Sequence, residues 1–233
     1  MDQFSYEING KHILVYRSVY EPLQSNMFTI LSNNEAIVFD PNVDNNLLEL
    51  FRKNGINKVH ILLTHGHYDH ISGVEWLKEN IPSTVYCHTK CAERLANSKR
   101  PLSRLVALVL ASEDKKDGGH RYKDFVESYK PFTIEADVVF KKSGSLVLGD
   151  LEFEFTHTPG HSEGSTCYRL YEGMVFTGDT LLQENDTITR FPGGNTYDFN
   201  IVALPFLRSL SKDTIIMPGH GNPFVLKDSG INL

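Results

Sequence analysis

The chain has 233 residues, 40% of them hydrophobic and 22% charged, and a formal charge of −6. This suits one compact α/β domain whose core needs neither disulfides nor a structural metal, and it excludes disordered and fibrous classes. The acidic balance argues against a chain-wide nucleic-acid surface, and the longest fully apolar run, Leu105 to Ala111, is far short of the ~20 residues of a membrane span.

Residues 1–40 read as strands. His12 to Val19 is rich in β-branched and aromatic residues, and Met27–Leu31 and Glu35–Phe39 form a hairpin around Ser32-Asn33-Asn34. Val43 to Asn54 is predicted helical, with Leu47, Leu48 and Phe51 as its apolar stripe and Gly55 as its stop. Lys58 to Leu63 is a strand buried on both faces; a helix over Ile71–Asn80 and a strand over Thr84–Cys87 follow.

Lys90 to Lys130 has helix formers and little strand character. Leu102, Leu105, Val106, Val109 and Leu110 repeat at the spacing of one buried helical face, Gly118-Gly119 breaks that helix, and a second runs from His120 to Tyr129. Ten basic and six acidic residues give this segment +4, against −10 for the remainder. Strands resume at Val138. Leu146–Leu148 and Glu152–Thr156 flank a Gly149-Asp150 turn, and Ser165–Tyr171 and Met174–Thr177 flank Glu172-Gly173. Tyr197–Leu210 is a helix interrupted by Pro205, and Thr214–Met217 is the last strand.

The chemistry concentrates at strand ends. The Lys58–Leu63 strand runs into Thr64-His65-Gly66-His67-Tyr68-Asp69-His70, which puts three imidazoles and a carboxylate in one turn. These are donor types that Zn²⁺ and related ions take. His65 and His67 can converge on one ion, with Asp69 and His70 facing a second. Three later loops each add one donor beyond a strand: His161 in Thr158-Pro159-Gly160-His161, Asp179 in Gly178-Asp179, and His220 in Gly219-His220. Gly or Pro fixes each turn. His157 and His88 are read either as strand-end histidines or as supports of the donor residues, with the non-ligand reading preferred for His157, and His12, His60 and His120 as ordinary ones. Cys87, Cys91 and Cys167 are an odd three, read as buried thiols in a reducing, cytoplasmic compartment.

This ordered set resembles the metallo-β-lactamase fold superfamily, with its HxHxDH motif, later His, Gly-Asp and final Gly-His. The resemblance spans residues 25–225 and implies an αββα sandwich forming a single domain over 1–233, with 90–130 as a helical cap insertion. It implies one ion on His65, His67 and His161, another on Asp69, His70 and His220, and Asp179 bridging them. Two divalent ions are expected, Zn²⁺ first and Fe or Mn next, activating a bridging hydroxide that Asp69 orients as a catalytic residue. Asp40, at the end of the Glu35–Phe39 strand, resembles the family's supporting aspartate; turn capping is the other reading for it, as for Thr64 and Thr180.

Phe191-Pro192-Gly193-Gly194 resembles the glyoxalase II-like subgroup of thioester hydrolases. That subgroup's Gly-Arg-x-Asp element is absent. The thirteen residues that follow His220 are too few for the glutathione-binding helical domain of glyoxalase II, so a glutathione thioester specialist is not expected. The leading expectation is a metallohydrolase of an ester, thioester or lactone. A phosphodiesterase or nuclease, an iron-dependent redox enzyme and a non-catalytic regulatory protein are the alternatives. The expected partner is a small molecule, anionic if the +4 segment attracts it. No membrane or nucleic-acid partner is expected. Leu108, off the apolar face, leaves contact with substrate or a second subunit open.

Overall fold

The structure, a computed structural model, describes residues 1–97, 103–183 and 186–231, with 103–105 described in backbone only. Among these, thirteen strands form two sheets. The first holds β1 (Asp2–Ile8), β2 (Lys11–Tyr20), β3 (Ser25–Ser32), β4 (Glu35–Phe39), β5 (Lys58–Leu62), β6 (Ser83–His88) and β7 (Val138–Phe140), in that order. It is antiparallel from β1 to β4 and parallel from β4 to β7. The second holds β8 (Gly144–Leu148), β9 (Leu151–His157), β10 (Thr166–Leu170), β11 (Met174–Gly178), β12 (Ile215–Pro218) and β13 (Phe224–Val225). Only its β11–β12 pair is parallel.

The sheets pack face to face through alternate side chains of both. Val15, Phe28, Ile30, Ile37 and Phe39 meet Phe153, Tyr168, Leu170 and Phe176, and Phe39 stacks on Phe176 at 3.7 Å. The outer face of the first sheet is covered by α1 (Asn45–Lys53), α2 (Tyr68–Ile71), α3 (Val74–Asn80) and α4 (Thr89–Leu95). The parallel strands beneath, β4 to β6, are buried on both faces, as strands covered on both sides are. α5 (Ser103–Asp117) and α6 (Arg121–Ser128) form a hairpin. α7 (Thr196–Asp198), a π turn over Phe199–Ala203 and α8 (Leu204–Ser209) lead to the outer face of the second sheet, where Leu207 packs on Val175 and Ile216. This is the αββα sandwich with a helical insertion.

Local departures have physical causes. The helix expected over Ile71–Asn80 is two pieces, α2 and α3, split at Ser72-Gly73. A Cβ on Gly73 would collide with the Asn42 backbone, so this is where the chain crosses the end of β4. Pro205 does not break its helix. Its missing N–H is accommodated after the π turn, where the Leu204 N–H bonds to Phe199 O. α4 belongs to the packed body, since Cys91 and Leu95 are buried in the core under the first sheet; the helices that leave the body are α5 and α6. Within them Val106, Leu110 and Phe125 share a small core, while Val109, expected inside, is 36% exposed. Leu102, Lys99 and Arg100 lie outside the described residues, as do the side chains of Arg104 and Leu105. No described helix is long and apolar enough to cross a membrane.

Candidate metal centre

The C-terminal ends of β5, β11 and β12 and the loop after β9 open at one rim, and each delivers a donor there. His65, His67, Asp69 and His70 leave β5 into α2; His161 follows β9, Asp179 follows β11 and His220 follows β12. Six of the seven are buried or nearly so, and His220 is half-buried. The structure therefore brings together all seven residues singled out from the sequence.

Two clusters result. In the first, His67 Nδ1 lies 3.1 Å from His65 Nε2 and 2.9 Å from His161 Nε2. The outer nitrogens fix which protons sit where. Thr64 Oγ1 donates to Asp40 Oδ2 at 2.6 Å and so accepts from His65 Nδ1–H at 3.0 Å. His161 Nδ1–H donates to Ile188 O at 2.9 Å. Both Nε2 atoms therefore present lone pairs to His67, and one shared proton cannot satisfy three converging nitrogens. Burial, reinforced by neighbouring imidazoles, pushes His65 and His67 well below the usual histidine range, so these rings stay neutral, the form that ligates metal.

In the second cluster, His70 Nε2 stands 3.4 Å from both Asp69 Oδ2 and Asp179 Oδ1. His220 Nε2 is 3.4 Å from Asp69 Oδ2 and 3.5 Å from Asp179 Oδ1. Asp179 Oδ2 also lies 3.4 Å from His161 Nε2, so this carboxylate faces both clusters. These separations are long for hydrogen bonds but suit atoms sharing an ion with bonds of about 2 Å. Burial opposes ionisation here, yet Asp69 and Asp179 are held well below the carboxylate range by His70 and His220. In turn their charges outweigh burial to push His70 well up and His220 to about 10. The two carboxylates therefore demand cationic charge at this cluster.

The fit to metal rests on orphaned atoms. His67 Nε2, His70 Nε2 and Asp179 Oδ1 are buried with no hydrogen-bond partner, a costly arrangement that a cation at the second cluster would offset for His70 and Asp179. Three-donor groups within coordinating reach are His65/His67/His161, Asp69/His70/His220 and Asp40/His65/His70. In the last, Asp40 is already occupied. It accepts from Thr64 N at 2.7 Å, Thr64 Oγ1 at 2.6 Å and His70 Nδ1 at 3.0 Å. It thereby fixes the His70 tautomer from behind, as a supporting carboxylate does. Thr64 shares that support, whereas Thr180 Oγ1 faces Thr158 Oγ1 at 3.4 Å. Glycine at 219 is dictated by proximity: a Cβ there would overlap Asp179 Oδ1 and crowd His70.

Around the clusters, Phe191 packs 6.1 Å from both the His67 and His161 rings. Arg94 donates to Pro192 O at 3.0 Å and ties that loop to α4. On the other side Tyr68 is enclosed by Tyr20, Phe125, Tyr129 and Phe132 at 5.2–6.3 Å, which docks the helical hairpin beside the HxHxDH turn. His157 stacks on His88 at 3.8 Å and bonds to Glu163 O, away from the clusters. The three cysteines are free and buried. Sequence reasoning passed over Ser25, Asn26 and Arg94, whose only signal is polarity within an apolar strand or helix.

The metallo-beta-lactamase superfamily model matches residues 20–220. Among curated relatives, the probable metallo-hydrolase YqgX of Bacillus subtilis is 27% identical over 202 residues, 86% of each chain. The hydroxyacylglutathione hydrolase GloC of Haemophilus influenzae is 28% identical over 191 residues, 80% of each. Among solved structures, the B3 metallo-beta-lactamase BLEG-1 superposes with a TM-score of 0.73 at 29% identity, over 91% of this chain and 94% of that one. TTHA1623 in a di-iron-bound form gives 0.67 at 26% identity, over 91% and 95%. With a family model spanning most of its length and the donor set at one rim, the chain belongs to the metallo-β-lactamase superfamily.

Proposed function

We propose that the protein is a dinuclear metallohydrolase that cleaves an ester, thioester or lactone of a small molecule. The carrying observation is the pair of donor clusters joined by Asp179, with three imidazole nitrogens converging on one side and orphaned buried atoms of His70 and Asp179 on the other. His65, His67 and His161 would hold one divalent ion and Asp69, His70 and His220 the other. The nitrogen-rich set suits zinc or iron, with manganese less favoured. Bound there, such ions bring a water's pKa from about 15.7 to near 7 and polarise the substrate oxygen.

The remaining work falls to the chain. Asp69, whose Oδ2 faces both His70 and His220, would accept a proton of the attacking water and orient it. Asp40 and Thr64 keep His70 and His65 in the tautomers that aim Nε2 inward. Phe191 walls one side and excludes bulk water, and the Tyr68-docked hairpin covers the other as a cap. A thioester is favoured within the class by the Phe191-Pro192-Gly193-Gly194 loop over the first cluster and by the similarity to GloC. A phosphodiester is the second reading, favoured by the +4 charge of residues 90–130.

The test is metal analysis joined to a substrate panel. Protein prepared without chelators should carry close to two equivalents of zinc, iron or manganese and turn over thioesters faster than phosphodiesters. A stoichiometry that never exceeds one after reconstitution sinks the dinuclear reading. Phosphodiesters as the preferred substrates would replace the carbonyl reading.

A further inference from the structure

The two clusters are braced differently, and the second is braced from a segment carrying no ligand. Between β2 and β3, Gln24 adopts φ 57°, a left-handed conformation unusual for a side-chain-bearing residue. Its N–H bonds to Tyr20 O at 2.7 Å, which holds the tight turn. The result aims its carbonyl at His220, whose Nδ1–H donates to it at 3.1 Å. Ser25, 1% exposed, donates from Oγ to Asp69 O at 3.0 Å.

Asn26, 3% exposed, does most. Its Nδ2 donates to Pro218 O at 2.9 Å and to Gly221 O at 2.8 Å, the carbonyls on either side of Gly219-His220. Its backbone N–H donates to Gly219 O at 2.7 Å. Three carbonyls of one loop thus converge on one residue, and the His220 ring is left to swing only toward Gln24 and the cluster. The geometry demands a side chain with two donors on one nitrogen. Aspartate, nearly identical in shape, offers acceptors alone and would set charge against two carbonyls. Gly219 N–H in turn bonds to Gly178 O at 2.8 Å, so the braced loop also abuts Asp179. No bond from Gln24, Ser25 or Asn26 reaches His65, His67 or His161, whose supports are Thr64 and Ile188.

We propose that Gln24-Ser25-Asn26 is a brace that sets the affinity of the second ion site, Asp69/His70/His220, with Asn26 as its chief positioning residue. The inference rests on the dinuclear reading above. Strain at Gln24 and the burial of two polar side chains are costs that such positioning explains.

The test is a competition titration of Zn²⁺ between a chromophoric chelator and the full-length protein, which resolves two dissociation constants. In Asn26→Asp the second constant should weaken by about 10–100-fold, the range for removal of a supporting partner. The first should change by less than about threefold. Ser25→Ala, which deletes a single hydroxyl and no volume of consequence, should weaken the second constant by about two- to tenfold, and serves if Asn26→Asp does not fold. Co²⁺ spectra recorded during the titration report which donor set fills. Equal weakening of both constants, or none in either variant, overturns the brace. A wild-type protein that binds one ion only removes the dinuclear reading and the brace with it, whereas two ions in wild type and in both variants with unchanged constants removes the brace alone.

Discussion

The donor rim and the α5–α6 hairpin are opposite solutions to holding structure together. The rim is assembled from strand ends far apart in sequence, and its supports are buried hydrogen bonds such as those of Asp40 and Asn26. The hairpin is local. Its core is Val106, Leu110 and Phe125, its charges pair within it, as Arg121 does with Asp114 and Asp117, and Leu108 and Val126 remain exposed. The rim has its precision built in by the sandwich, whereas among the described residues the hairpin core meets the body through Tyr68 and Leu23. A region of the second kind opens at lower free energy than the first, which on the proposed function would leave chemistry to the rim and adjustable selection to the hairpin.

The sharpest way to break this contrast is at Asp179, which faces both clusters. Asp179→Ala should lower occupancy of both ion sites and reduce hydrolysis by more than the ~100-fold upper range for supporting residues. His220→Ala should mainly empty one. Elemental analysis of the two variants beside kcat decides it. If Asp179→Ala retains two ions, the rim is not one unit and the bridge is misassigned.

The same contrast explains what could be read from the sequence. Donor residues announce themselves by chemical type, so His65, His67, Asp69, His70, His161, Asp179 and His220 were legible although the fold alone brings them together. Strands with strong β-branched runs were legible too, β4 and β5 among them. Supporting residues were not. Asn26 acts through three carbonyls of a loop nearly 200 positions away, and nothing local to Gln24-Ser25-Asn26 marks that partnership. Asp40 stood between capping and support until its bonds to Thr64 and His70 were seen. In the hairpin the helices and the Gly118-Gly119 break were legible from local pattern, but the anchoring of α6 on Tyr68 was not, because it depends on a residue hidden between two metal-type donors. Splitting of the Ile71–Asn80 helix likewise depends on contact with Asn42, which no helical periodicity encodes.

A smaller effect tests whether the hairpin is separable. Phe125 is buried against Tyr68 at 5.2 Å and belongs to the hairpin's small core. Phe125→Ala should cost about 3–5 kcal/mol of local stability by loss of packing and the cavity left behind. Amide exchange over α5 and α6 should accelerate on the order of a hundredfold or more, while β5, β11 and β12 keep their protection and the ion content is unchanged. If the cap shapes the binding pocket, KM should rise more than kcat falls. Loss of bound metal in this variant would join hairpin and rim into a single cooperative unit and end the comparison as drawn.

The smallest expected effect concerns charge. Residues 90–130 carry +4 while the rest of the chain carries −10, so the two parts of the sequence act on an anionic substrate with opposite sign. If the segment steers such a substrate, kcat/KM should fall severalfold as ionic strength rises, because exposed charges are screened beyond a Debye length of about 10 Å at 0.1 M. Kinetics in rising salt with an anionic thioester and a neutral analogue of equal size make the measurement. Replacing Lys99, Arg100 and Arg104 together by glutamine should raise KM for the anionic substrate and leave the neutral one unchanged, with metal content constant. A phosphodiester should show the steeper salt dependence and a neutral lactone almost none, so the same experiment separates the two substrate readings. Equal responses from charged and neutral substrates would leave the charge of residues 90–130, which lies outside the balanced α5–α6 pair, as ordinary surface charge, and selection would then have to lie in the Phe191 loop.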